Sequence, residues 1–214
     1  MIRIVIADDH TIVREGLKQL LGAAGDLAIA GEARDGHEVL KRVRELEFDV
    51  LLLDMSMPGK SGIELIKLVK AEKPKLRVLV LSMHEEHQYA VRAIRAGAAG
   101  YLTKESASSQ LVEAIRKVAG GGAFISAAVA EQLALGAMPD AQGPLHGTLS
   151  DREFQVFRML AEGKSISDIA ERLSLSVKTV STHKANILHK MNMATSGDLI
   201  RYAIAHRLVE NPDD

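Results

Sequence analysis

The hydrophobic positions in the first half of the chain follow two alternating patterns. Apolar runs of strand length, too short for helices, occur at five places: Arg3 to Ala7, Leu27 to Ala33, Asp49 to Leu53, Arg77 to Ser82 and Gly100 to Leu102. Between them, apolar residues recur at helical spacing, as at Ile63, Leu65, Ile66 and Val69. Strands that alternate with helices are typical of a doubly wound parallel sheet. We therefore predict a five-stranded α/β domain over residues 1–120.

Capping residues predict where several of these helices begin and end. Asp35, Ser61 and Ser106 precede helical patterns and are predicted N-caps, because their side chains can accept a hydrogen bond from the first turn. Lys73 and Pro74 indicate a helix end, since proline cannot continue a helix.

The pattern changes after three consecutive glycines at residues 120–122. The stretch SAAVAEQLAL favours one short helix, and GAMPDAQGPLHG has the glycine and proline content of an exposed linker. Residues 121–147 are therefore predicted to be a linker with a short helix. Residues 148–214 show only helical patterns, at about 150–162, 165–173, 176–190 and 195–206. They predict a second, all-α domain of four helices, in which Gly163 ends the first.

Composition narrows the class of protein. The chain has 214 residues, of which 47% are hydrophobic and 26% charged, as expected for an ordinary globular protein of two modest domains. It has no cysteine, which excludes disulfides and thiolate metal sites. No apolar run approaches membrane-spanning length, and the N-terminus lacks a signal-peptide pattern. We expect a cytoplasmic protein with no membrane partner.

Polar side chains follow four of the five predicted strands. The first strand is followed by Asp8 and Asp9, the third by Asp54, the fourth ends in Ser82, and the fifth is followed by Thr103 and Lys104. The carboxyl ends of parallel strands meet at one edge, where ligands bind. Three close carboxylates repel one another unless a cation is present, and oxygen ligands suit Mg²⁺. A magnesium site is therefore predicted at this edge.

Such a site suits phosphoryl transfer. Mg²⁺ can hold a phosphoryl group against a carboxylate, so Asp54 is a candidate nucleophile that forms an acyl phosphate. Lys104 would pair with a phosphoryl oxygen, and the Ser82 hydroxyl would donate to another.

The second half contains a local basic surface, although the whole chain has a net charge of only −1. Residues 172–197 include no Asp or Glu. When the residues of the basic stretch are placed around a helix at about 100° per residue, an apolar face and an opposite polar face can be distinguished. The apolar face has Val177, Val180, Ile187, Leu188 and Met191, and the polar face has Lys178, Ser181, Thr182, Ala185 and His189. With the preceding SISDIAERLSL, this spacing predicts a helix-turn-helix with its recognition helix second.

The motifs IADDH, LLLDMSMPGKSGIEL, VLSMHEE and GAAGYLTKE resemble the receiver domain of bacterial two-component response regulators, which has a flavodoxin-like sheet. The resemblance implies that a sensor histidine kinase phosphorylates Asp54. It also implies that Asp9, Asp54 and the Ser56 carbonyl hold Mg²⁺, with Asp8 assisting through water. Ser82 and Tyr101 would form the switch pair. Pro58 and Gly59 would form a turn, and Glu105 stands where many receivers have proline.

Residues 149–191 resemble the LuxR-type DNA-binding domain, so the whole chain is similar to the NarL/FixJ class of response regulators. The resemblance implies base contacts by Ser181, Thr182 and Ala185. Further contacts to DNA would come from Lys178, Thr179, His183 and Lys184. Relatives often have basic residues at two of these positions, Ser181 and Ala185, which predicts the loss of about 1–3 kcal/mol of direct readout. The implied partners are double-stranded promoter DNA, a second copy of the phosphorylated chain and RNA polymerase.

A dimer interface and two rival functions stay open. Leu199, Ile200, Ala203 and Ile204 would form either a dimer surface or part of the domain's own core.

The chain is expected not to be an enzyme. A magnesium-dependent phosphohydrolase of the haloacid dehalogenase kind needs a second Asp two residues after the nucleophile, where this chain has Ser56. The other rival is a constitutive DNA-binding regulator with an inert receiver.

Overall fold

Two compact units make up the chain, Met1–Ala134 and Leu135–Asp214. The computed structural model describes residues 1–57, 62–82, 87–135, 144–206 and 208–209. The predicted turn at Pro58 and Gly59, the cap at Ser61 and most of the predicted linker lie outside these residues.

The first unit is built on a five-stranded, all-parallel sheet with the order β2-β1-β3-β4-β5. The strands are β1 (Ile2–Ala7), β2 (Leu27–Ala33), β3 (Val50–Asp54), β4 (Arg77–Ser82) and β5 (Gly100–Thr103). The predicted fold class is confirmed. Two strands extend further than expected, because Asp54 and Thr103 are still paired within the sheet.

Helices cover both faces of this sheet, as its buried strands require. They are α1 (Thr11–Gly22), α2 (Gly36–Glu45), α3 (Gly62–Glu72), α4 (His87–Arg95), α5 (Lys104–Ala119) and α6 (Ala127–Leu135). One apolar layer joins the sheet to α2, α3 and α4, and the other joins it to α1 and α5. Because successive side chains of a strand point to opposite faces, each strand contributes to both layers. Leu51 and Leu53 of β3 lie in the first layer, and Val50 and Leu52 lie in the second. Val129 of α6 packs into the first layer.

The cap at Asp35 is confirmed, and the cap at Ser106 is wrong. The Asp35 carboxylate accepts hydrogen bonds from the amides of His37 and Glu38. Helix α5 begins two residues before Ser106, at Lys104, and Thr103 is its N-cap, accepting from the Ser106 amide at 3.1 Å. This earlier start places Lys104 directly after the end of β5. Helix α3 ends at Glu72, just before the predicted stop.

The backbone of Phe124 lies against the start of β5. Its amide donates to the carbonyl of Ala99 at 3.0 Å, and its carbonyl accepts from the amide of Tyr101 at 2.9 Å. This close approach explains Gly100, since a Cβ there would lie 2.9 Å from the Phe124 carbonyl oxygen and 2.8 Å from Leu79 Cδ1. Two backbone hydrogen bonds therefore hold the segment after α5 against β5, the edge strand of the sheet.

The second unit is helical, as predicted. After a 3₁₀ helix at Leu145–Thr148 come α7 (Asp151–Ala161), α8 (Ile166–Arg172), α9 (Val177–Lys190) and α10 (Ser196–Ala205). Each α-helix has a Ser or Thr N-cap whose side chain accepts from the first turn. Gly163 follows α7 with a φ of +79°, the left-handed conformation that glycine adopts without strain.

The core of this unit forms where α7 and α8 pack against α9, and α10 against α7. Its fully buried side chains include Phe154, Phe157, Ile169, Val180, Ile187, Leu199 and Ala203. Leu199 and Ala203 therefore belong to the domain's own core and not to a dimer surface, the two alternatives left open by the sequence. Ile200 and Ile204 are half-buried.

Candidate functional site

Strand register brings the predicted carboxylates together at one edge of the sheet. Ala7 of β1 pairs with Leu53 of β3, so the next residues, Asp8 and Asp54, lie side by side where the two strands end. This is the point at which the strand order reverses, and parallel sheets open a crevice there. Asp8 and Asp54 are 1% and 0% exposed.

Lys104 connects the two buried carboxylates. Its Nζ lies 2.7 Å from Asp8 Oδ2 and 3.1 Å from Asp54 Oδ2, although the residues come from three separate segments of the chain. The Ser56 amide donates to Asp54 Oδ1 at 3.3 Å. The ammonium is thus placed where it can also meet an anion carried by Asp54.

Burial dominates the electrostatics of the pair. Loss of solvation raises the pKa of Asp54 above its ordinary value; the ion pair with Lys104 opposes this, and the neighbouring Asp8 reinforces it. Burial alone would lower the pKa of Lys104, but hydrogen bonding to Asp8 and the charge of Asp54 outweigh it, so the pKa of Lys104 is raised. Lys104 therefore stays protonated, and burial makes ionisation of Asp54 less favourable than in water.

A metal ion suits this group of oxygen atoms. Asp8, Asp9 and Asp54, together with His10, each offer a ligand atom, and the four atoms lie within 4.8 Å of one another. Asp9 Oδ1 and Asp54 Oδ2 are buried and accept no hydrogen bond of normal geometry, and their near contacts are His10 Nδ1 at 3.0 Å and Lys104 Nζ at 3.1 Å. Buried carboxylate oxygens in that state are ready ligands for a hard cation. Asp8, Asp9, Asp54 and Ser56 are the residues predicted to hold it.

A buried arginine supports the turn that carries Asp8 and Asp9. The Arg14 guanidinium is 3% exposed and donates from Nη1 to the Asp8 carbonyl at 2.8 Å. Its Nε donates to Glu32 Oε2 at 3.0 Å, and Lys18 Nζ donates to Glu32 Oε1 at 2.8 Å. The bond from Lys18, with help from Arg14, holds the pKa of Glu32 below its ordinary value. Charged Glu32 thereby fixes the arginine against the turn.

The predicted switch residues lie on neighbouring strands, β4 and β5. Ser82 is buried at the end of β4, next to Thr103 of β5. Tyr101 is buried in the apolar layer beneath α4. The Lys104–Glu105 peptide bond is trans, since none of the peptide bonds in the described residues is cis.

Sequence patterns missed two residues of this site. His10 directly follows the two aspartates, and a motif of consecutive metal-ligating residue types was the available signal. Arg14 was not singled out because it is charged, although it shares the i, i+3, i+7 spacing of Leu17 and Leu21, the other buried residues of α1.

The second unit presents a polar helical surface on α9. The exposed residues of this surface are Lys178, Ser181, Thr182, Ala185, Asn186 and His189. Three other residues predicted to contact DNA are less exposed, being half-buried: Thr179, His183 and Lys184. Val177 was predicted on the packed face; this is wrong, because it is the first residue of α9 and is 52% exposed.

Hydrogen bonding on α9 decides what its side chains offer. The hydroxyl of Ser181 donates to the Val177 carbonyl at 2.9 Å, and that of Thr182 to the Lys178 carbonyl at 3.0 Å. Their protons are used within the helix, so both hydroxyls present acceptor lone pairs outward. Lys190 is not part of this surface, since its ammonium lies 2.7 Å from Glu153 Oε2 and joins α9 to α7.

The short connection between α8 and α9 gives the helix-turn-helix its shape. Only residues 173–176 separate the two helices, and Ser174 adopts a φ of +53°. The Leu175 amide donates to the Ala170 carbonyl at 2.8 Å, which ends α8 and turns the chain. The predicted break at Leu175 and Ser176 lies within this turn, and Ser176 caps α9.

Comparison with known proteins agrees with both units. Residues 4–116 match the family described as response regulator receiver domain, and residues 147–203 match the bacterial regulatory proteins of the luxR family. Response regulator GacA of Pseudomonas viridiflava is 36% identical over 98% of this chain and 99% of its own. Response regulator UvrY of Escherichia coli K12 is 34% identical over 97% of this chain and 96% of its own.

Solved structures of the RcsB response regulator align with most of the chain. A structure of the RcsB response regulator of Salmonella typhimurium aligns with a TM-score of 0.73 and 28% identity, over 95% of this chain and 97% of that one. An RcsB–DNA complex aligns with a TM-score of 0.59 and 28% identity, over 95% and 98%. Among the described helices, none is long and apolar enough to cross a membrane. The chain belongs to the two-component response regulators of the NarL/FixJ class, which join a receiver domain to a LuxR-type DNA-binding domain.

Proposed function

We propose that this regulator accepts a phosphoryl group on Asp54 from a sensor histidine kinase, acts in the cytoplasm, and responds by dimerising and binding promoter DNA. The observation that carries the proposal is the placement of Asp54: it is fully buried at the end of β3, beside Asp8, with Lys104 Nζ 3.1 Å from its Oδ2. A surface aspartate would have neither the neighbours nor the desolvation of this site.

In the transfer step an Asp54 carboxylate oxygen forms a bond to phosphorus while the phosphorus–nitrogen bond of the donor phosphohistidine breaks. The leaving imidazole takes up a proton. Lys104 already lies against Asp54 and would bind a phosphoryl oxygen, and the buried Ser82 hydroxyl would donate to another. Mg²⁺ held by Asp8, Asp9, Asp54 and the Ser56 carbonyl would neutralise charge that develops on the transferred group.

Coupling to the rest of the receiver would pass through β4 and β5. Ser82 pairs with Thr103, which directly precedes Lys104, and Tyr101 lies two residues earlier on β5. Movement of Ser82 and Lys104 towards a phosphoryl group would therefore displace the strand that carries Tyr101. Shifting a two-state equilibrium from 1:99 to 99:1 needs about 5.5 kcal/mol, which several charge-assisted hydrogen bonds can supply.

DNA binding would use the exposed surface of α9. Lys178 would contact phosphate, while Ser181, Thr182 and Ala185 face outward to meet base edges. One helix-turn-helix covers a short half-site, so a dimer is required for useful affinity. RcsB has been solved as dimers bound to DNA and bound to a promoter in the presence of phosphomimetic BeF₃⁻, which supports this arrangement by analogy.

The direct test compares the protein with and without acetyl phosphate and Mg²⁺. We expect phosphorylation to double the mass measured by light scattering and to raise affinity for duplexes selected from a random pool by about 5–150-fold, the usual range of coupling between sites. Equal mass and equal affinity in both states would favour the rival view of a constitutive regulator with an inert receiver.

Magnesium is expected to stabilise the receiver. Ionised Asp54 costs stability because its folded pKa is raised, so the free energy of unfolding falls as pH increases from about 3.8 through the higher folded value. Mg²⁺ offsets that cost above this window. At 100 times its Kd the ion adds about 2.7 kcal/mol, measured as a rise in Tm at pH 7.5.

The control for this measurement is a carboxylate outside the site. Asp9→Asn should remove most of the Mg²⁺-dependent rise, whereas Asp26→Asn, an exposed residue paired with Arg116, should keep it. A full rise in Tm in Asp9→Asn would show that Mg²⁺ binds elsewhere.

A further inference from the structure

His10 lies where a further metal ligand would be expected. Its Nδ1 is 3.0 Å from Asp9 Oδ1 and 3.3 Å from Asp8 Oδ1. We propose that His10 supplies a nitrogen ligand to the cation held by the aspartates, so that the pocket binds transition ions such as Co²⁺ or Mn²⁺ more tightly than an all-oxygen site would. The inference rests on the proposed metal site and states which cations that site prefers.

The spacing of the donor atoms suits one shared ion. Adjacent ligands of an octahedral ion with bonds of about 2.1 Å lie about 3.0 Å apart, from the bond length times the square root of two. The two distances from His10 Nδ1 to the carboxylate oxygens match that spacing, and a cation bound there would replace the hydrogen bond between Nδ1 and Asp8 Oδ1. All four donor atoms, including one from Asp54, fall within 4.8 Å of one another.

The backbone holds His10 in this position. Its amide donates to Asp8 Oδ1 at 2.8 Å, which fixes the turn, and its side chain is 63% exposed. His10 is also the N-cap of α1, yet its side chain makes no capping hydrogen bond. Ser, Asp or Asn at an N-cap would stabilise the helix by accepting a hydrogen bond from its first turn. The imidazole is therefore directed at the carboxylates and not at the helix.

Ligand chemistry gives the direction of the selectivity. Mg²⁺ is hard and gains little from an imidazole, whereas affinity for nitrogen ligands increases from Mn²⁺ through Co²⁺ to Ni²⁺. All-oxygen sites also bind these ions more tightly than Mg²⁺. The informative quantity is therefore the change in the Co²⁺ to Mg²⁺ affinity ratio when the imidazole is removed.

The experiment titrates metal-free, full-length protein with Co²⁺ and with Mg²⁺ by calorimetry, comparing the unsubstituted chain with His10→Ala. We expect His10→Ala to weaken Co²⁺ binding about 10-fold or more and Mg²⁺ binding less than about 2-fold. His37→Ala, an exposed histidine on α2, is the matched control and should change neither. In the Co²⁺-loaded protein, a paramagnetically shifted imidazole N–H signal should be present and should disappear in His10→Ala.

The outcomes separate this inference from the metal site itself. An equal loss of affinity for both ions, or no loss for either, would overturn the role of His10 as a ligand, as would a shifted imidazole signal that persists in His10→Ala. If neither ion bound the unsubstituted chain, the proposed metal site itself would be refuted. Asp9→Asn should weaken both ions, which assigns the measured binding to this pocket.

Discussion

Asp54→Asn is expected to abolish covalent labelling by acetyl phosphate and, with it, phosphorylation-dependent DNA binding. The amide cannot provide the anionic oxygen that attacks phosphorus, and the described residues place no other carboxylate with the same burial and contact to Ser56. Intact-protein mass spectrometry should show no phosphoryl increment at any donor concentration. In the unsubstituted protein, labelling should slow as pH falls through the raised pKa of Asp54, because only the ionised carboxylate is nucleophilic.

Loss of labelling in this variant should not come from unfolding. Ionisation of Asp54 costs stability in the folded state, and asparagine removes that cost while Lys104 keeps its ion pair with Asp8. Asp49→Asn is the matched control, because Asp49 lies just before the opposite end of β3 and is exposed. It should be labelled normally. Persistent labelling of Asp54→Asn would assign the phosphoryl group to another residue and overturn the proposal.

Ala185→Glu is expected to reduce DNA affinity by about 100-fold or more. Ala185 is exposed near the middle of α9, so a carboxylate there would face phosphates and base edges without disturbing the core. Placing like charges together in an interface costs several kcal/mol, and each 1.4 kcal/mol is tenfold in affinity. Fluorescence anisotropy with a selected duplex, using the phosphorylated protein, measures the effect.

The control for Ala185→Glu introduces the same charge elsewhere. Ala130 is an exposed alanine inside α6 of the first unit, so Ala130→Glu changes the net charge identically. It should bind the duplex as the unsubstituted protein does, and both variants should unfold at similar temperatures. An unchanged affinity in Ala185→Glu would remove α9 from the interface with DNA.

The sequence predicted the framework of the site because strands and helices have distinct apolar periods. The buried run at Val50–Leu53 and the Ser and Thr caps of α7 to α10 are local features that decide local structure. Parallel pairing then brought Asp8 beside Asp54. The resemblance to receivers, and not periodicity, supplied the roles of Tyr101 and the Ser56 carbonyl.

What the sequence did not predict depends on contacts between distant segments. Arg14 of α1 can be buried because Glu32 of β2 and the Asp8 carbonyl accept its hydrogen bonds. Thr103 replaced Ser106 as a cap because β5 runs directly into α5. Val177 is 52% exposed although its spacing is that of the packed face, so helical period alone does not decide burial in the first turn of α9.

The pairing of Phe124 with β5 also determines where the receiver can be shortened. A piece ending at Ala119 would leave the Tyr101 amide and the Ala99 carbonyl without their partner and would uncover the layer that Val129 fills. An open strand edge of this kind recruits other chains and leads to aggregation. A stand-alone receiver should therefore extend through Leu135, the last residue of α6.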